Sequence, residues 1–341
     1  MATFRTFWNE GKLSPYEELC LRSFVAHGHR VILYSYSTMD LPSGIELVDA
    51  ESIFSRKDVF YYKSGPGAGS VSAFSNLFRY RLLEEFGDWW TDTDVICLTD
   101  SMPSQELFFA YEDADSINGA VLKIPQGHEF ARTLRKEAAA LGTDFQWGQC
   151  GPRLITAVAR RLGLDGHAAP LEKAYPLHWT EALDVLFPEA CERIEQKTRN
   201  SYFLHLWNEM LRRAVILKDI RPPRGSFLAS KFEEHGIKFG SDVCYSGEQI
   251  RKIRLQMEAA AANQNEITRL NLQLSEQADE IARLNLHLSE QADEIARLNQ
   301  CVSDTVAVRD RAINEIRRIR SDFTWRWTSP LRKIARRARG R

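Results

Sequence analysis

Two consecutive copies of a 14-residue unit stand in the C-terminal part of this 341-residue chain. The unit at residues 269–282 recurs at residues 283–296 with one change, Gln273 in the first copy and His287 in the second. Fourteen residues make two heptads, and a sustained seven-residue apolar repeat winds helices into a left-handed coiled coil. One heptad position is apolar throughout, at Ile253, Ala260, Ile267, Leu274, Ile281, Leu288, Ile295 and Val302. The sequence therefore predicts a coiled coil over residues 250–320.

The second core position of these heptads is mixed. It alternates between leucine and glutamine, at Leu270, Gln277, Leu284, Gln291 and Leu298. A polar residue in the seam costs stability but fixes the register and the number of chains. A single exposed helix is the alternative, and it would leave the whole apolar stripe in water. We therefore expect the chain to form a homo-oligomer through this segment.

The residues after the coiled coil, 321–341, form a basic tail. From Val306 to Arg341 there are twelve Lys or Arg residues and three Asp or Glu, whereas the whole chain has a formal charge of −1. The tail contains Trp325 and Trp327, and tryptophan favours the lipid–water interface. Its clustered arginines favour contact with anionic lipid head groups. The tail therefore predicts contact with an anionic membrane surface. A disordered basic end is the alternative, and nucleic acid is not expected because no recognised binding motif is present.

The first 245 residues read as an ordinary mixed α/β domain. The chain is 44% hydrophobic and 11% aromatic, which excludes a wholly disordered or collagen-like protein. The sequence contains no apolar run of about 18 residues, so we expect no transmembrane helix. The N-terminus lacks the apolar stretch of a secretory signal. The six cysteines are scattered without CxxC pairs. We therefore expect reduced thiols and a cytoplasmic location, with neither a zinc ribbon nor a disulfide scaffold.

The N-terminal residues predict a strand, a helix and a second strand. Residues 4–8 are a short aromatic strand candidate, and residues 30–36 form an apolar run typical of a buried strand. Between them, Ser14 is a good N-cap, Pro15 suits the first helical position and Glu17 completes a capping box. This order predicts parallel pairing in a Rossmann-like sheet.

A second helix, predicted over residues 71–86 and ended by Gly87, carries polar side chains opposite its apolar stripe. Asn76, Arg79 and Tyr80 fall together on that side. The segment that follows contains Asp92 and Asp94, whose carboxylates face the same way if the chain is extended there.

The Asp-x-Asp pair indicates a site for a hard divalent cation. Two carboxylates suit Mg²⁺ or Mn²⁺, which usually takes its remaining ligands from water or a substrate diphosphate. Arg79 can neutralise a phosphate through two parallel hydrogen bonds. His205, in a later apolar segment, is a possible further metal ligand.

Several blocks of the sequence resemble one family. Residues 74–95 look like the DXD block of the glycosyltransferase sugar-binding region, which is found in family 32-like enzymes, both α-1,4-glycosyltransferases and initiating mannosyltransferases. Further landmarks in the expected order are Trp8 and residues 33–36, 117–118 and 205–208. The resemblance covers about residues 4–215.

The resemblance implies a GT-A type fold and a retaining transfer of sugar from a nucleotide donor, UDP- or GDP-linked. By position, Asp94 would bind the metal directly, and Asp92 would contact the donor ribose or sugar and reach the metal through water. Arg79 would contact the donor phosphate or sugar. His205 and Asn208 would complete the shell of metal and diphosphate.

The remaining donor-site residues also follow from the resemblance alone. Trp8 and Tyr36 would lie near the nucleobase. Asn118 and the pair Gly151-Pro152 would border the sugar and the acceptor. The donor set is completed by Asn76 and Trp207.

Three positions depart from the family pattern. Asn76 stands where Asp is usual, which predicts weakened or altered donor choice rather than loss of activity. Asp88 replaces the second glycine of a usual pair, and Trp90 replaces a tyrosine. Asp88 is tolerable if its backbone φ is below zero, and we expect the change not to abolish activity.

The sequence thus predicts a transferase that builds a cell-surface polysaccharide or lipid-linked saccharide at the inner membrane face. A phosphohydrolase of the haloacid dehalogenase type is one alternative, but no apolar strand is expected before Asp92. The other is a non-catalytic sugar-binding scaffold displayed on a coiled coil, for which Asn76 is the best support.

Overall fold

The structure, a computed structural model, describes residues 1–340, without the side chains of residues 323–325. The predicted interfacial role of Trp325 therefore lies outside the described residues. The chain divides into two compact units, residues 1–259 and 260–341. All six cysteines are free thiols, as expected.

The first unit is built on a six-stranded mixed sheet. Its strands are β1 (Thr3–Phe7), β2 (Arg30–Ser35), β3 (Ile45–Asp49), β4 (Asp88–Thr91), β6 (Phe108–Tyr111) and β7 (Ile117–Ile124), and a separate two-stranded sheet pairs β5 (Val95–Cys97) with β8 (Phe203–His205). The large sheet has the order β3-β2-β1-β4-β7-β6. Strands β1 to β4 run parallel, whereas β7 is antiparallel to its neighbours β4 and β6. The Rossmann-like parallel sheet predicted from the sequence is thereby confirmed for this half.

Helices cover both faces of the sheet. In chain order, the α-helices of residues 1–340 are α1 (Pro15–Ala26), α2 (Ser72–Phe86), α3 (Glu129–Ala140), α4 (Pro152–Arg161), α5 (Cys191–Thr198), α6 (Asn208–Arg213), α7 (Phe227–Glu234), α8 (Gly247–Ser321) and α9 (Phe323–Ala338), of which the last two belong mainly to the second unit. Successive residues of a strand point to opposite faces of the sheet. Trp89 therefore lies in one apolar cluster with Phe4 and Phe203, and Trp90 lies in the cluster on the other face with Phe78. Both tryptophans are 1% exposed, which makes them core residues on the two faces.

Helix α1 begins as its sequence predicts. The Ser14 hydroxyl accepts a hydrogen bond from the Tyr16 amide at 3.2 Å, and Glu17 Oε2 accepts one from the Ser14 amide at 3.1 Å. This is a closed capping box with proline in the first turn. The helix starts just beyond β1, so its N-terminus lies at the carboxyl edge of the parallel strands.

Helix α2 is buried on both of its faces. The apolar stripe with Phe74 and Phe78 lies in the core, as predicted. The opposite face is also removed from water, since Asn76 is 8% exposed and Arg79 is 5% exposed. Buried polar groups must find partners, so this face is committed to specific hydrogen bonds.

The backbone of Asp88 does not meet the condition of a negative φ. Its φ is +67°, a value that L-residues other than Asn and Asp rarely adopt. The strain is offset by its own side chain, because Asp88 Oδ2 accepts a hydrogen bond from the Thr3 amide at 3.2 Å. The carboxylate thereby joins the first residues of β4 and β1.

The Asp-x-Asp segment is a turn rather than an extended strand. Asp92 follows β4, Thr93 and Asp94 form the turn, and β5 begins at Val95. The expectation of no strand before Asp92 is also wrong, because β4 precedes it directly. The two carboxylates converge through the turn rather than through alternation along a strand.

Residues 260–338 of the second unit are helical except for Asp322. Helix α8 covers the predicted coiled-coil region, and residues of the predicted stripe are exposed, such as Leu274 at 62% and Ile281 at 59%. The tail forms the helix α9, which differs from the alternative of a disordered end. Within residues 1–340, no helix is long and apolar enough to cross a lipid bilayer.

Candidate active site

The candidate site is assembled where β4 meets the small sheet. Asp92 and Asp94 lie in the turn between β4 and β5, and Val95 of β5 pairs with His205 of β8. This pairing brings His205 beside Asp94 from 111 residues away in sequence. One ligand atom each from Asp92, Asp94 and His205 lie within 4.8 Å of one another. The structure therefore brings together the three predicted metal-site residues.

Asp94 is held by hydrogen bonds from the C-terminal segment. Its Oδ2 lies 3.2 Å from His205 Nε2 and accepts a hydrogen bond from the Asn208 amide at 2.8 Å. Burial alone raises the pKa of this carboxyl, but His205 and the Asn208 amide favour the charged form and lower its pKa to about 2. Asp94 is therefore a carboxylate at any neutral pH.

His205 is the buried partner of Asp94. Burial lowers the pKa of its imidazole, but the adjacent Asp94 outweighs burial and raises the pKa above its ordinary value. Its Nδ1 is buried and has no hydrogen-bond partner among the described residues. The ring lies 4.1 Å from that of Trp207, centroid to centroid.

Asp92 faces a cation and an indole. Its Oδ1 accepts hydrogen bonds from Arg79 Nη2 and from Trp90 Nε1, each at 2.7 Å. Burial raises the pKa of Asp92 despite the opposing effect of Arg79. Trp90, which replaces the usual tyrosine, thus supplies a donor to the DXD carboxylate, a role that the sequence analysis missed.

Arg79 is fixed in place on several sides. Besides Asp92, its Nη1 donates to Asn76 Oδ1 at 3.1 Å, and the guanidinium lies 5.2 Å from the centre of the Trp90 ring. Gly119 of β7 permits this approach, since a Cβ there would lie 2.3 Å from Arg79 Nη1. The sequence carried no signal for Gly119, because its partner is 40 residues away and on another element.

The departure at Asn76 has a local explanation. Its Nδ2 donates to the Ser72 carbonyl at 2.9 Å, while its Oδ1 accepts from Arg79. An aspartate has no donor for the Ser72 carbonyl, so the amide suits both neighbours. Gly151 adjoins it, since a Cβ added to this glycine would lie 3.5 Å from Asn76 Oδ1. Asn76 and Gly151 therefore lie next to each other in the fold.

Trp8 and Tyr36 lie along the same sheet edge as Asp92. Phe7 of β1 pairs with Tyr34 of β2; Trp8 follows Phe7 directly, and Tyr36 lies two residues after Tyr34. Trp8 Nε1 is buried without a hydrogen-bond partner among the described residues, so it is a free donor. The Tyr36 hydroxyl instead donates to the Phe54 carbonyl at 2.9 Å.

Two predicted donor residues already have structural partners. Asn118 Nδ2 donates to Glu112 Oε2 at 2.5 Å, and its Oδ1 accepts from the Ala120 amide at 2.7 Å. Trp207 Nε1 donates to the Leu177 carbonyl at 2.9 Å. These polar groups already form hydrogen bonds within the fold, so they stabilise the site and are not free to donate hydrogen bonds to a bound nucleotide sugar.

The side chains of Asp92, Asp94 and His205 fit a divalent cation. Two carboxylates and one imidazole suit Mn²⁺, and Mg²⁺ accepts the same carboxylates with water. Among the hydrogen bonds formed by residues 1–340, none reaches Asp92 Oδ2 or Asp94 Oδ1, so each carboxylate has an oxygen to offer. Asn208 Oδ1 is likewise buried without a partner in the described chain.

Comparison with known proteins confirms the resemblance. Residues 123–220 match the family model described as alpha 1,4-glycosyltransferase conserved region. Lactosylceramide 4-alpha-galactosyltransferase of Rattus norvegicus is 27% identical over 150 residues, which is 41% of this chain and 41% of that protein. The Homo sapiens protein of the same name is 26% identical over 153 residues, covering 41% and 42%.

The extent of these matches is limited. The chain aligns with less than half the length of these two relatives. The family match includes His205, Trp207 and Asn208 but not Asp92 or Asp94. The chain is therefore similar to α-1,4-glycosyltransferases over these segments, and the DXD assignment depends on geometry.

Two solved structures are also similar. "PaToxG Glycosyltransferase" is 12% identical with a TM-score of 0.37, covering 49% of this chain and 72% of the other. The apo-form glycosyltransferase GlyE of Streptococcus pneumoniae TIGR4 is 13% identical with a TM-score of 0.35, covering 76% and 64%.

Proposed function

We propose that this relative of the α-1,4-glycosyltransferases is a metal-dependent, retaining hexosyltransferase with a GT-A type fold. It moves a sugar from a UDP- or GDP-linked donor to a glycan or lipid-linked acceptor, in the synthesis of a cell-surface polysaccharide. The observation that carries this proposal is the cluster of Asp92, Asp94 and His205 beside Arg79 at the carboxyl edge of the sheet. In open α/β sheets, ligands bind outside the carboxyl ends of the parallel strands.

Each residue has a task in this proposal. Asp94, Asp92 and His205 hold Mn²⁺ or Mg²⁺, which when bound supplies positive charge to the leaving diphosphate. Arg79 is aimed at the same place by its bonds to Asp92 and Asn76, and its fixed guanidinium stabilises charge without reorganising. Trp8 presents a free indole N–H to the nucleobase.

Retention is supported by the chemistry of the relatives. They are named for an α-linked product, and common UDP-hexoses are themselves α-linked at the anomeric carbon. Transfer on the same face preserves that configuration. We assign no protein nucleophile.

The acceptor is proposed to enter an open cavity of about 440 Å³. Its lining is mostly polar and is formed by Ser64, Asp144, Phe145, Gln146, Gln149 and Arg153. Gly151, which adjoins Asn76, lies between the lining residues Gln149 and Arg153 in sequence, and this supports the assignment. Amides, hydroxyls and a guanidinium suit the many oxygens of a saccharide.

The C-terminal helices are proposed to place the enzyme. The exposed stripe of α8, including Leu274 and Ile281, supports self-association as a coiled coil. On α9, Trp327 and Leu331 are exposed among arginines, which supports docking on the anionic inner face of a membrane. A cytoplasmic location accords with this arrangement.

The first test is nucleotide release from a panel of UDP- and GDP-sugars, with Mn²⁺ and then with chelator. Slow hydrolysis of the donor into water requires no known acceptor. We expect chelator-sensitive release from one donor, lost at least a hundredfold in Asp94→Ala. The matched control is Asp115→Ala, because Asp115 is a turn carboxylate whose side chain is 90% exposed. Unchanged release by Asp94→Ala would contradict the site assignment.

A non-catalytic sugar-binding scaffold is the second candidate. Asn76, in place of an aspartate, is the observation that favours it. Calorimetry separates the two functions, since a scaffold binds UDP- or GDP-sugars without releasing nucleotide. The haloacid dehalogenase alternative is not retained, because the chain is related to glycosyltransferases.

A further inference from the structure

Glu17 makes contacts that its capping role does not require. The capping box of α1 uses Glu17 Oε2, which accepts from the Ser14 amide. Its Oε1 accepts a hydrogen bond from Asn208 Nδ2 at 3.1 Å and forms an ion pair with Lys218. These partners are 191 and 201 residues away in sequence. One carboxylate therefore joins the start of α1 to the segment that follows His205.

Asn208 in turn contacts the candidate metal site through its backbone. Its amide donates to Asp94 Oδ2 at 2.8 Å. The preceding residue, Trp207, has φ +55° and ψ +56°, a left-handed conformation that costs energy for a bulky side chain. Such a turn persists only when its surroundings hold it, and the side chain of Asn208 is held by Glu17.

The burial of Glu17 makes this contact specific. Its side chain is 1% exposed, and a buried carboxylate must be paired and hydrogen-bonded to be stable. Lys218, 22% exposed, neutralises the charge from the solvent side. Its positive charge also favours the ionised form of Asp94. The four groups form one chain of contacts, from Lys218 through Glu17 and Asn208 to Asp94.

We propose that Glu17 is a positioning residue of the metal site, which acts through Asn208 on the Asp94 carboxylate, with Lys218 as its counterion. This inference rests on the proposed function for the role of Asp94. Removal of groups that orient metal ligands typically weakens metal binding about 10- to 100-fold. Loss of Glu17 frees the turn at Trp207 and with it the amide that fixes Asp94.

A purely structural role is the competing explanation, and the chain offers a matched control for it. Glu181 closes a second capping box, with His178, and is paired with Arg193 and Lys197. Its hydrogen bonds and ion pairs, as the described residues show them, include none with Asp92, Asp94, His205 or Asn208. Loss of Glu181 therefore tests capping and ion pairing without the link to the metal site.

The experiment compares Glu17→Ala, Glu17→Gln and Glu181→Ala in the full chain. Mn²⁺ affinity is measured by the electron paramagnetic resonance of free Mn²⁺, and folding by the thermal midpoint without metal. We expect Glu17→Ala to weaken Mn²⁺ binding at least tenfold at a temperature where it is folded. Glu17→Gln, which still accepts a hydrogen bond, should recover part of the loss. Glu181→Ala should lower the thermal midpoint and leave Mn²⁺ affinity unchanged.

A second variant covers the case in which Glu17→Ala does not fold. Asn208→Ala removes the contact with Glu17 and leaves the capping box intact, so we expect the same loss of Mn²⁺ affinity. Unchanged Mn²⁺ affinity in Asn208→Ala, or in folded Glu17→Ala, would overturn the proposal, as would equal loss in Glu181→Ala. Wild-type protein that binds Mn²⁺ but releases no nucleotide would contradict the transferase function alone.

Discussion

Asp92 and Asp94 differ in their protonation chemistry although only Thr93 separates them. Burial raises the pKa of Asp92, whereas His205 and the Asn208 amide lower that of Asp94 to about 2 against the same burial. Asp94 is thus the permanently charged member of the pair. Asp92 depends on Arg79 for its charge, so the two carboxylates are not interchangeable.

Metal affinity is predicted to rise with pH because of His205. Its pKa is raised by Asp94, so the imidazole keeps its proton to higher pH than an ordinary histidine, and Mn²⁺ must displace that proton. Titration with Mn²⁺ between about pH 6 and 9 should show an affinity that rises with pH up to the raised pKa of His205 and then levels off. His205→Gln should remove this slope, whereas His287→Gln, a change that makes the two repeats identical, should keep it. A slope that persists in His205→Gln would assign the proton to another group.

His205 and Asp94 also affect the stability of the metal-free fold, and the contribution of His205 falls with rising pH, whereas metal affinity rises. Because the pKa of His205 is raised, its contribution to stability is complete below about pH 6.5 and is lost as pH rises through the raised value. The pKa of Asp94 is lowered, so its contribution is complete above about pH 3.8 and is lost as pH falls toward about 2.

Asp88 gives a second residue-scale prediction. Asp88→Ala keeps the strain of φ +67° and loses the bond to the Thr3 amide, so it should lower the free energy of unfolding by about 1–2 kcal/mol. Asp88→Gly loses the same bond but removes the strain, so it should cost less. Urea denaturation measures both variants. Equal losses in the two would show that backbone strain is not stored at this position.

Among the secondary elements, α2 and β7 depend on one close contact. A methyl group on Gly119 would meet Arg79 Nη1 at 2.3 Å and Ile155 Cδ1 at 2.6 Å. Gly119→Ala should therefore displace Arg79 and reduce nucleotide release more than tenfold, with a smaller effect on stability. Gly166→Ala is the control, since a methyl group on Gly166 would meet nothing within 4 Å. Wild-type turnover in Gly119→Ala would mean that the guanidinium can move without cost.

Helix α8 provides an element-scale prediction about glutamine in the seam. Replacing Gln277 and Gln291 with leucine should raise the thermal midpoint of the assembled protein and broaden its oligomer distribution. Analytical ultracentrifugation measures the distribution. Gln300→Leu, on the outer side of the same heptad repeat, should change neither. A monomeric wild type would contradict the coiled coil itself.

For the molecule as a whole, charge is distributed very unevenly. The net charge is −1, yet the last 36 residues carry twelve basic and three acidic side chains. We expect liposomes with anionic lipid to sediment the full chain more strongly than neutral liposomes do. A chain that ends at Ser321 should lose this difference. Equal binding by the shortened chain would refute the membrane role of the tail.

Local patterns predicted much of the fold because their causes are local. The capping box at Ser14 and Glu17, the end of α2 at Gly87, and the long helix α8 all follow from interactions within a few residues. The heptad repeat likewise specifies its own helix. The φ of Asp88 escaped prediction because a distant strand, through Thr3, stabilises an otherwise unfavourable backbone.

The sequence alone identified the chemistry of the candidate site, since the residue types in Asp92, Asp94, Arg79 and His205 limit which ligands they can hold. Their assembly required the tertiary structure. Pairing of β5 with β8 brings His205 to Asp94, and the second oxygen of Glu17 reaches Asn208 only in the folded chain. These contacts join segments more than 100 residues apart. Burial around them, which no single segment can produce, decides the protonation of both carboxylates.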